Sequence, residues 1–304
     1  FILLFLAAPA FGQLPEKYRD ILLQNNPDIA AAREAYKAAQ AKVQTAYELP
    51  DLQLGAGYFI MPPETRLGPQ QFKLSLSQMF PWFGTLSQKE QKLMLEAKAK
   101  QYALQEVRRK LLYRATDQWL ELYRLHREWQ LLEKQMNALQ QITNMAQQQY
   151  ESGKGSMSDV LRAEMRLDEL KERKNTLAEE RQIQRETLNL LLNRDRNAGI
   201  IPGKRRETLP DTSFSRDTML RNQPRLQQAL TRQKAAEAGI ALQEYQNKPS
   251  IGLGADYVLV SERADLEIMD NGRDIFMPMV SLNIPINRKS NQAKVRQAKK
   301  RTQQ

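Results

Sequence analysis

Residues 26–58 read NPDIAAAREAYKAAQAKVQTAYELPDLQLGAGY, and residues 223–257 read QPRLQQALTRQKAAEAGIALQEYQNKPSIGLGADY. The two stretches are copies. Pro27 aligns with Pro224, and Lys37-Ala38-Ala39 with Lys234-Ala235-Ala236, at an offset of 197. Leu54-Gly55 aligns with Leu253-Gly254, and Tyr58 with Tyr257, at an offset of 199. A helix-like stretch and the strand-like stretch behind it are therefore both duplicated, with a short insertion between them. A period this long is no solenoid repeat. It predicts two structural halves, each built as helix, strand, strand, long helix.

Working outward from the repeat, 13–50 reads as the first helix, interrupted near Asn25-Asn26-Pro27, since proline suits a first helical turn. Its alanines (Ala30, Ala31, Ala32, Ala35, Ala38, Ala39, Ala41) predict close helix packing. Residues 51–82 read as a β-hairpin. Leu52, Leu54, Ala56, Tyr58 and Ile60 alternate with Gln53, Gly55, Gly57 and Phe59, and Phe72, Leu74 and Leu76 alternate with Lys73, Ser75 and Ser77, across a Pro- and Gly-containing loop at 61–70. The second copy repeats the plan, with a helix over 216–248 and a hairpin over 249–286. There Ile251, Leu253, Ala255, Tyr257 and Leu259 share one face, and Val280, Leu282, Ile284 and Ile286 oppose Ser281 and Asn283. The result is four strands of about ten residues, apolar on one face, a length that suits a tilted membrane-spanning strand. On alternation alone a soluble four-stranded sheet, its apolar faces toward a core, is the better reading, since the signal per strand is weak. If the strands span a membrane, four cannot close a barrel, and an open edge in lipid leaves backbone groups unpaired; several chains must then share one barrel.

Between the copies, 83–194 reads as a long antiparallel helical hairpin. Leu86–Glu151 holds no Pro or Gly. An apolar stripe recurs at about 3.5 residues, the coiled-coil period: Leu104, Val107, Leu111, Ala115, Trp119, Leu122, Leu125, Trp129, Leu132, Met136, Leu139, Ile142, Ala146 and Tyr150. Gly153-Lys154-Gly155 breaks the helix, and Ser156 with Asp159 has the spacing of a capping box that starts the next one. The return helix carries Leu167, Leu170, Leu177, Leu188 and Leu191. Residues 195–215, rich in Arg, Pro and Asp, form a connector.

The two halves are unequal. After the second hairpin only 287–304 follows, so the repeat predicts roughly a hundred further C-terminal residues for a complete second half. Residues 1–12, FILLFLAAPAFG, carry no charge and resemble the apolar core and small-residue cleavage region of a secretory signal peptide, with cleavage expected before Gln13. A run this short does not span a bilayer as a helix.

Composition bounds function. Cysteine is absent and histidine occurs once, which leaves little for a metal site of the N/S type. The net charge is +11, yet 287–304 alone contributes seven Lys and Arg without an acid, leaving +4 elsewhere. Over the rest of the chain basic residues interleave with Glu as on a solvated helix face, so nucleic acid is not expected as a partner. Glu90, Glu96, Glu106 and Asp117 sit among Lys and Arg and read as solvated surface rather than as acid–base machinery. His126 reads as surface. Met61, Met269, Met277 and Met279 lie in or near the hairpin loops; thioethers suit Cu(I), but methionine is more often filler. No phosphate loop or nucleophile motif appears, so neither a cofactor nor an enzymatic activity is expected.

Several stretches taken together resemble the outer-membrane efflux protein family, the TolC-like channels. They are Asn26-Pro27 with its Ala-rich helix and LQLGAGY, the strand FKLSLSQ leading into Pro81-Trp82-Phe83-Gly84, the turn YESGKGSMSDVLRAE at Tyr150–Glu164, and the second copy ending in VSLNIPI at Val280–Ile286. The resemblance implies a mixed α/β, internally duplicated membrane protein. In it a homotrimer builds one twelve-stranded outer-membrane barrel, four strands from each protomer, and the long helical hairpins extend it as a coiled-coil tunnel into the periplasm. It implies a passive exit duct served by a periplasmic adaptor and an inner-membrane pump. The adaptor would meet the tip at Gly153, Lys154, Gly155, Ser156, Asp159, Val160 and Leu161, where Val160 and Leu161 would present apolar surface while Ser156 and Asp159 mainly cap. Gate residues would lie beyond Gln304.

With lipid outside and water inside, the lumen candidates are Gln53, Lys73, Ser75, Ser77, Asp256, Ser281 and Asn283. The lipid-facing candidates are Leu52, Leu54, Leu74, Leu76, Leu253, Leu282 and Ile284. Trp82 fits an interfacial aromatic. The strand exit at Phe80–Gly84 is similar to the branch associated with metal pumps; metal ions, drugs and secreted proteins remain candidate cargoes, the last through a type I secretion channel. A periplasmic adaptor also carries a long helical hairpin, but it would lack the duplicated helix–strand unit.

Overall fold

The computed structural model describes residues 14–200, 202, 222–263, 269–286 and 288–301. The signal-like segment 1–12, most of the connector and the last three residues lie outside the described residues. The elements, in chain order, are α1 (Glu16–Asn25), α2 (Pro27–Gln44), a 3-10 turn (Thr45–Tyr47), β1 (Gln53–Tyr58), β2 (Glu64–Thr65), β3 (Gly68–Phe80), α3 (Thr85–Glu151), α4 (Met157–Leu191), α5 (Pro224–Gln246), β4 (Ser250–Val260), β5 (Ile275–Asn283) and α6 (Arg288–Arg301). Two compact units result: Phe1–Glu34 with Ala103–Asn222, and Ala35–Tyr102 with Gln223–Gln304.

In the first unit α3 and α4 form the hairpin read from the apolar stripe. Arg173 meets Glu128, Arg181 meets His126 and Gln184 meets Gln118; residue numbers rise on one helix as they fall on the other, so the pair is antiparallel. Leu125, Leu132 and Leu177 are buried, and Trp129, Met136 and Leu170 pack against them. Burying one leucine of this kind contributes roughly 1.5–3 kcal/mol. Trp129 also lies between two cations of α4, with Lys174 Nζ 4.8 Å and Arg181 Cζ 4.7 Å from its ring centroid. The stripe holds from Leu104 to Leu132 and then drifts. Ile142, expected inside, is exposed, and Thr143 takes the buried position with its hydroxyl bonded to the Leu139 carbonyl. An undistorted helix turns through 3.6 residues, so a 3.5-residue pattern slips around it unless the helix supercoils.

Asn26 accounts for the break between α1 and α2. Its backbone is extended, and its Oδ1 accepts from the amides of Asp28 and Ile29, an N-cap. Its Nδ2 donates to the Leu191 carbonyl at the end of α4, and Asn193 returns a bond to the Asn25 carbonyl. A residue read only as a helix breaker thus also tethers the far end of the long hairpin.

In the second unit the strands form one antiparallel sheet in the order β1-β3-β4-β5, with β2 paired to the start of β3. The segment read as a loop at 61–70 is partly strand: β3 starts at Gly68, and Glu64–Thr65 pairs with Pro69–Gly68. Proline is admitted there because it sits at the strand's first residues. The Ala-rich face of α2, expected to pack closely, instead lines a cavity of about 640 Å³ with Ala99, Ala235, Ala236 and Gly239. Side chains this short do not reach across to the neighbouring helices. The end of the first-repeat helix is fixed by Tyr47, whose hydroxyl donates to Glu90 at 2.7 Å, and by Lys89, which donates to the Thr45 carbonyl. The exit FPWFG turns through Gly84, at φ 85°, where an added Cβ would stand 2.8 Å from the Tyr245 ring.

Two outcomes follow for the hairpin. Leu177→Ala is expected to cost about 2–5 kcal/mol, against under about 0.5 kcal/mol for the exposed Ile183→Ala, read by thermal unfolding of the full-length protein. Glu128 is held below the ordinary carboxylate range, mainly by Arg173, and Glu121 likewise by Arg124. A lowered folded-state value stabilises above the unfolded value and is lost as pH falls through the folded one. The midpoint should therefore hold down to about pH 5 and then fall, and Glu128→Gln should flatten that fall.

Candidate functional site

The sheet sorts its residues by face. Gln53 pairs with Ser77, Ser77 with Gly254, Ser75 with Asp256, Lys73 with Val258, Gly252 with Ser281, and Ser250 with Asn283. All seven lumen candidates therefore share one face. Leu54 pairs with Leu76, Leu74 with Tyr257, and Leu253 with Val280, while Ile251 pairs with Leu282. These stand on the other face, flanked by Leu52 just before β1 and Ile284 just after β5. All seven apolar candidates are exposed. Two edges, β1 and β5, have no partner within the described chain, and Pro278 on β5 removes one backbone donor from an edge strand.

Asp256 is the one polar candidate that is completely buried. It forms an ion pair with Lys73, whose own side chain is 38% exposed. The sequence placed both on one face but gave no sign of the pairing, since Lys73 lies two residues along β3 from Ser75, the register partner of Asp256. A buried carboxylate needs such a partner to stay charged.

At the sheet end that carries the hairpin loops, the two loops are joined by their backbones. Gly272 donates to the Leu67 carbonyl at 2.8 Å, and Ser261 donates to Pro69 at 2.9 Å. Asn271 exchanges hydrogen bonds with the backbone of Arg263, and Asp274 accepts from the Tyr257 hydroxyl and the Val260 amide. The joint depends on a register that sequence spacing does not reveal.

The helical tip is a Schellman turn. Gly153, at φ 71°, donates to the Tyr150 carbonyl, and Lys154 donates to the Gln149 carbonyl. A Cβ on Gly155 would come within 3.0 Å of the Gln149 Cβ and the Tyr150 amide nitrogen. Ser156 caps α4 by accepting from the Ser158 amide. Asp159 does not complete a reciprocal box; it pairs with Arg162 at 2.8 Å. Val160, expected to present apolar surface, is buried in the hairpin, because it falls on the α4 face that turns toward α3. Leu161, Met157 and Tyr150 supply the exposed apolar surface instead.

His126 is half-buried, in contact with Gln130 and Arg181. Arg181 can only donate, so Nδ1 accepts; burial, and then Arg181 and Arg127, lower its pKa and keep the ring neutral. Among the described residues no group of His, Cys, Asp and Glu could hold a metal ion, and no helix is long and apolar enough to cross a membrane.

A family model for outer membrane efflux proteins matches residues 19–194. That is more than half of the chain, and the chain belongs to the outer membrane efflux protein family. No curated protein matches it. Among solved structures, the outer membrane protein VceC of Vibrio cholerae is similar over 95% of this chain and 72% of its own, at 17% identity and a TM-score of 0.69. The CmeC outer membrane channel of Campylobacter jejuni is similar over 95% and 65%, at 16% identity and a TM-score of 0.67. CusC, whose structures concern folding and transmembrane channel formation, is similar over 95% and 69%, at 20% identity and a TM-score of 0.69. At these identities the structures speak for the fold. The family consists of outer-membrane efflux channels, passive rather than enzymatic, so the adaptor reading is set aside.

The ion pair yields a test. Lys73→Met leaves the Asp256 carboxylate without its cation and is expected to lower the unfolding midpoint. Ser77→Ala on the same face should stay within about 0.5 kcal/mol. Thermal unfolding of the detergent-extracted protein separates the two.

Proposed function

We propose that this chain is one third of an outer-membrane exit duct, through which an inner-membrane pump and its periplasmic adaptor export small solutes, metal ions or drugs, without chemistry in the duct itself. The observation that carries the proposal is the register. It puts every polar candidate on one face and every apolar candidate within the strands, exposed, on the other, in a sheet with two open edges. An apolar face of that extent is at odds with water but suited to hydrocarbon. Open edges are not tolerated in hydrocarbon. Three copies supply twelve strands and close them.

In this reading Gln53, Lys73, Ser75, Ser77, Asp256, Ser281 and Asn283 line the lumen, and Leu52, Leu54, Leu74, Leu76, Leu253, Leu282 and Ile284 face lipid. Trp82 and Phe83, in edge-to-face contact at 6.1 Å, anchor the strand exit at the membrane–water boundary. The helical hairpin stands in the periplasm, and its tip meets the adaptor through Lys154, Leu161, Met157 and Tyr150, with Gly153, Gly155, Ser156, Asp159 and Val160 holding the turn in shape.

The full-length protein, expressed with its export signal and extracted from outer membranes, should have the mass of a trimer by detergent-corrected light scattering and should conduct in planar bilayers. Leu161→Asp should leave mass and conductance unchanged and lower efflux in cells. A water-soluble periplasmic monomer or dimer would sink the duct reading.

A further inference from the structure

We propose that the cavity at the start of α3 binds a phosphate group, and that its source is the phosphodiester headgroup of a membrane lipid. The phosphate chemistry rests on the cavity itself. The lipid as source rests on the duct reading, which puts Trp82 at the membrane–water boundary. The cavity holds about 520 Å³ where the strands pass into the helices, and Glu48, Trp82, Thr85, Lys89, Tyr245 and Lys248 are among its lining residues. That is the size of a small-molecule site, with room for the organic part of a phosphate ester.

Helix end, hydroxyl and charge all call for an anion there. A helix N-terminus turns amides and a positive dipole outward, and a side-chain oxygen of the residue before it usually caps it. Before α3 that residue is Gly84, at φ 85°, which has no such oxygen; an added Cβ would stand 2.8 Å from the Tyr245 ring. Packing thus excludes a capping side chain. Thr85, the first residue of α3, is only 7% exposed, yet its hydroxyl has no hydrogen-bond partner among the described residues. A buried hydroxyl left unpaired is costly, and a ligand oxygen in the cavity would pair it. Lys89 follows Thr85 by one helical turn, so both stand on one side of α3. Its ammonium donates to the Thr45 carbonyl at 2.8 Å and carries two more N–H groups. Lys248 holds its ammonium 3.8 Å from the centroid of the Tyr245 ring, the same ring that lies against Gly84. Two cations therefore face one acid, Glu48, across the cavity. Trp82 and Tyr245 give an apolar wall for the organic part of the ester, and aromatic rings beside lysines suit the headgroup level of a membrane.

The test titrates the delipidated full-length protein in detergent, by calorimetry, with dihexanoylphosphatidylglycerol below its micelle concentration and, in a second arm, with sodium phosphate. Wild type should bind the short lipid. K89M/K248M should bind it roughly tenfold more weakly, and Thr85→Val severalfold more weakly. Thr85→Ser, which keeps the hydroxyl, and Lys110→Met, farther along α3, should match wild type. Lys248→Met alone should weaken binding severalfold, which keeps the test valid if the double variant fails to assemble. Binding of the lipid but not of sodium phosphate supports the headgroup as source. Equal binding of sodium phosphate supports the site and overturns the lipid as its source. A wild type that binds neither, or Lys and Thr85→Val variants that bind as wild type does, overturns the site. A protein that binds through these residues yet forms no trimeric pore overturns the duct reading and leaves the phosphate site standing.

Discussion

A backbone amide or carbonyl without a partner costs several kcal/mol in hydrocarbon, and every larger feature of this chain answers to that constraint. The sheet has paired strands in its middle and unpaired ones at both margins. Its apolar face is exposed over nearly its whole area. In water the margins would be tolerable and the apolar face would not; in lipid the reverse holds. In the duct proposed above, closure of the margins by further copies reconciles the two. The helices work by the opposite logic. They satisfy their backbones internally, so α3 can run through 67 residues needing a partner only along one stripe of side chains. In the proposed duct the same chain is sheet where it faces lipid and helix where water surrounds it.

The duplication is exact in plan and loose in detail. Both copies start their helix with proline, but Asn26 caps its helix through a side chain whereas Gln223 makes no such bond. A glutamine is one methylene too long for the cap geometry that asparagine reaches. The first copy has in exchange taken on a second task, since the Asn26 amide also holds the end of α4. The hairpins diverge likewise: the short strand β1 is exposed at every residue, while β4 alternates buried and exposed along its length because it lies between β3 and β5.

Periodicity made much of this legible. Alternation at two residues located β1, β3, β4 and β5 and sorted Leu54, Leu74 and Leu253 from Gln53, Ser75 and Ser281, because a strand's faces follow from spacing alone. The 3.5-residue stripe located the hairpin for the same reason. What the sequence withheld was register. Which residue of β3 lies beside Asp256 depends on where β3 begins, and Pro69 disguises that start as loop. The pairing of Lys73 with Asp256 and the joining of the two hairpin loops both depend on it. The tip shows the other limit. Val160 and Leu161 are neighbours of similar character, and only the rotation of α4 against α3 decides that the first is buried and the second exposed.

The Schellman turn at Gly153 has a thermodynamic consequence for recognition. Its amides already have partners within the hairpin: Gly153 on Tyr150, Lys154 on Gln149, and Ser158 on the Ser156 hydroxyl. Fixing a flexible loop on docking costs about 1–2 kcal/mol per residue in backbone entropy. Here that cost falls on folding, so a partner that meets residues 150–161 meets a rigid template and spends its contact energy on affinity. Recognition at this end is then governed by shape complementarity between preformed surfaces, and its speed by encounter rather than by loop rearrangement.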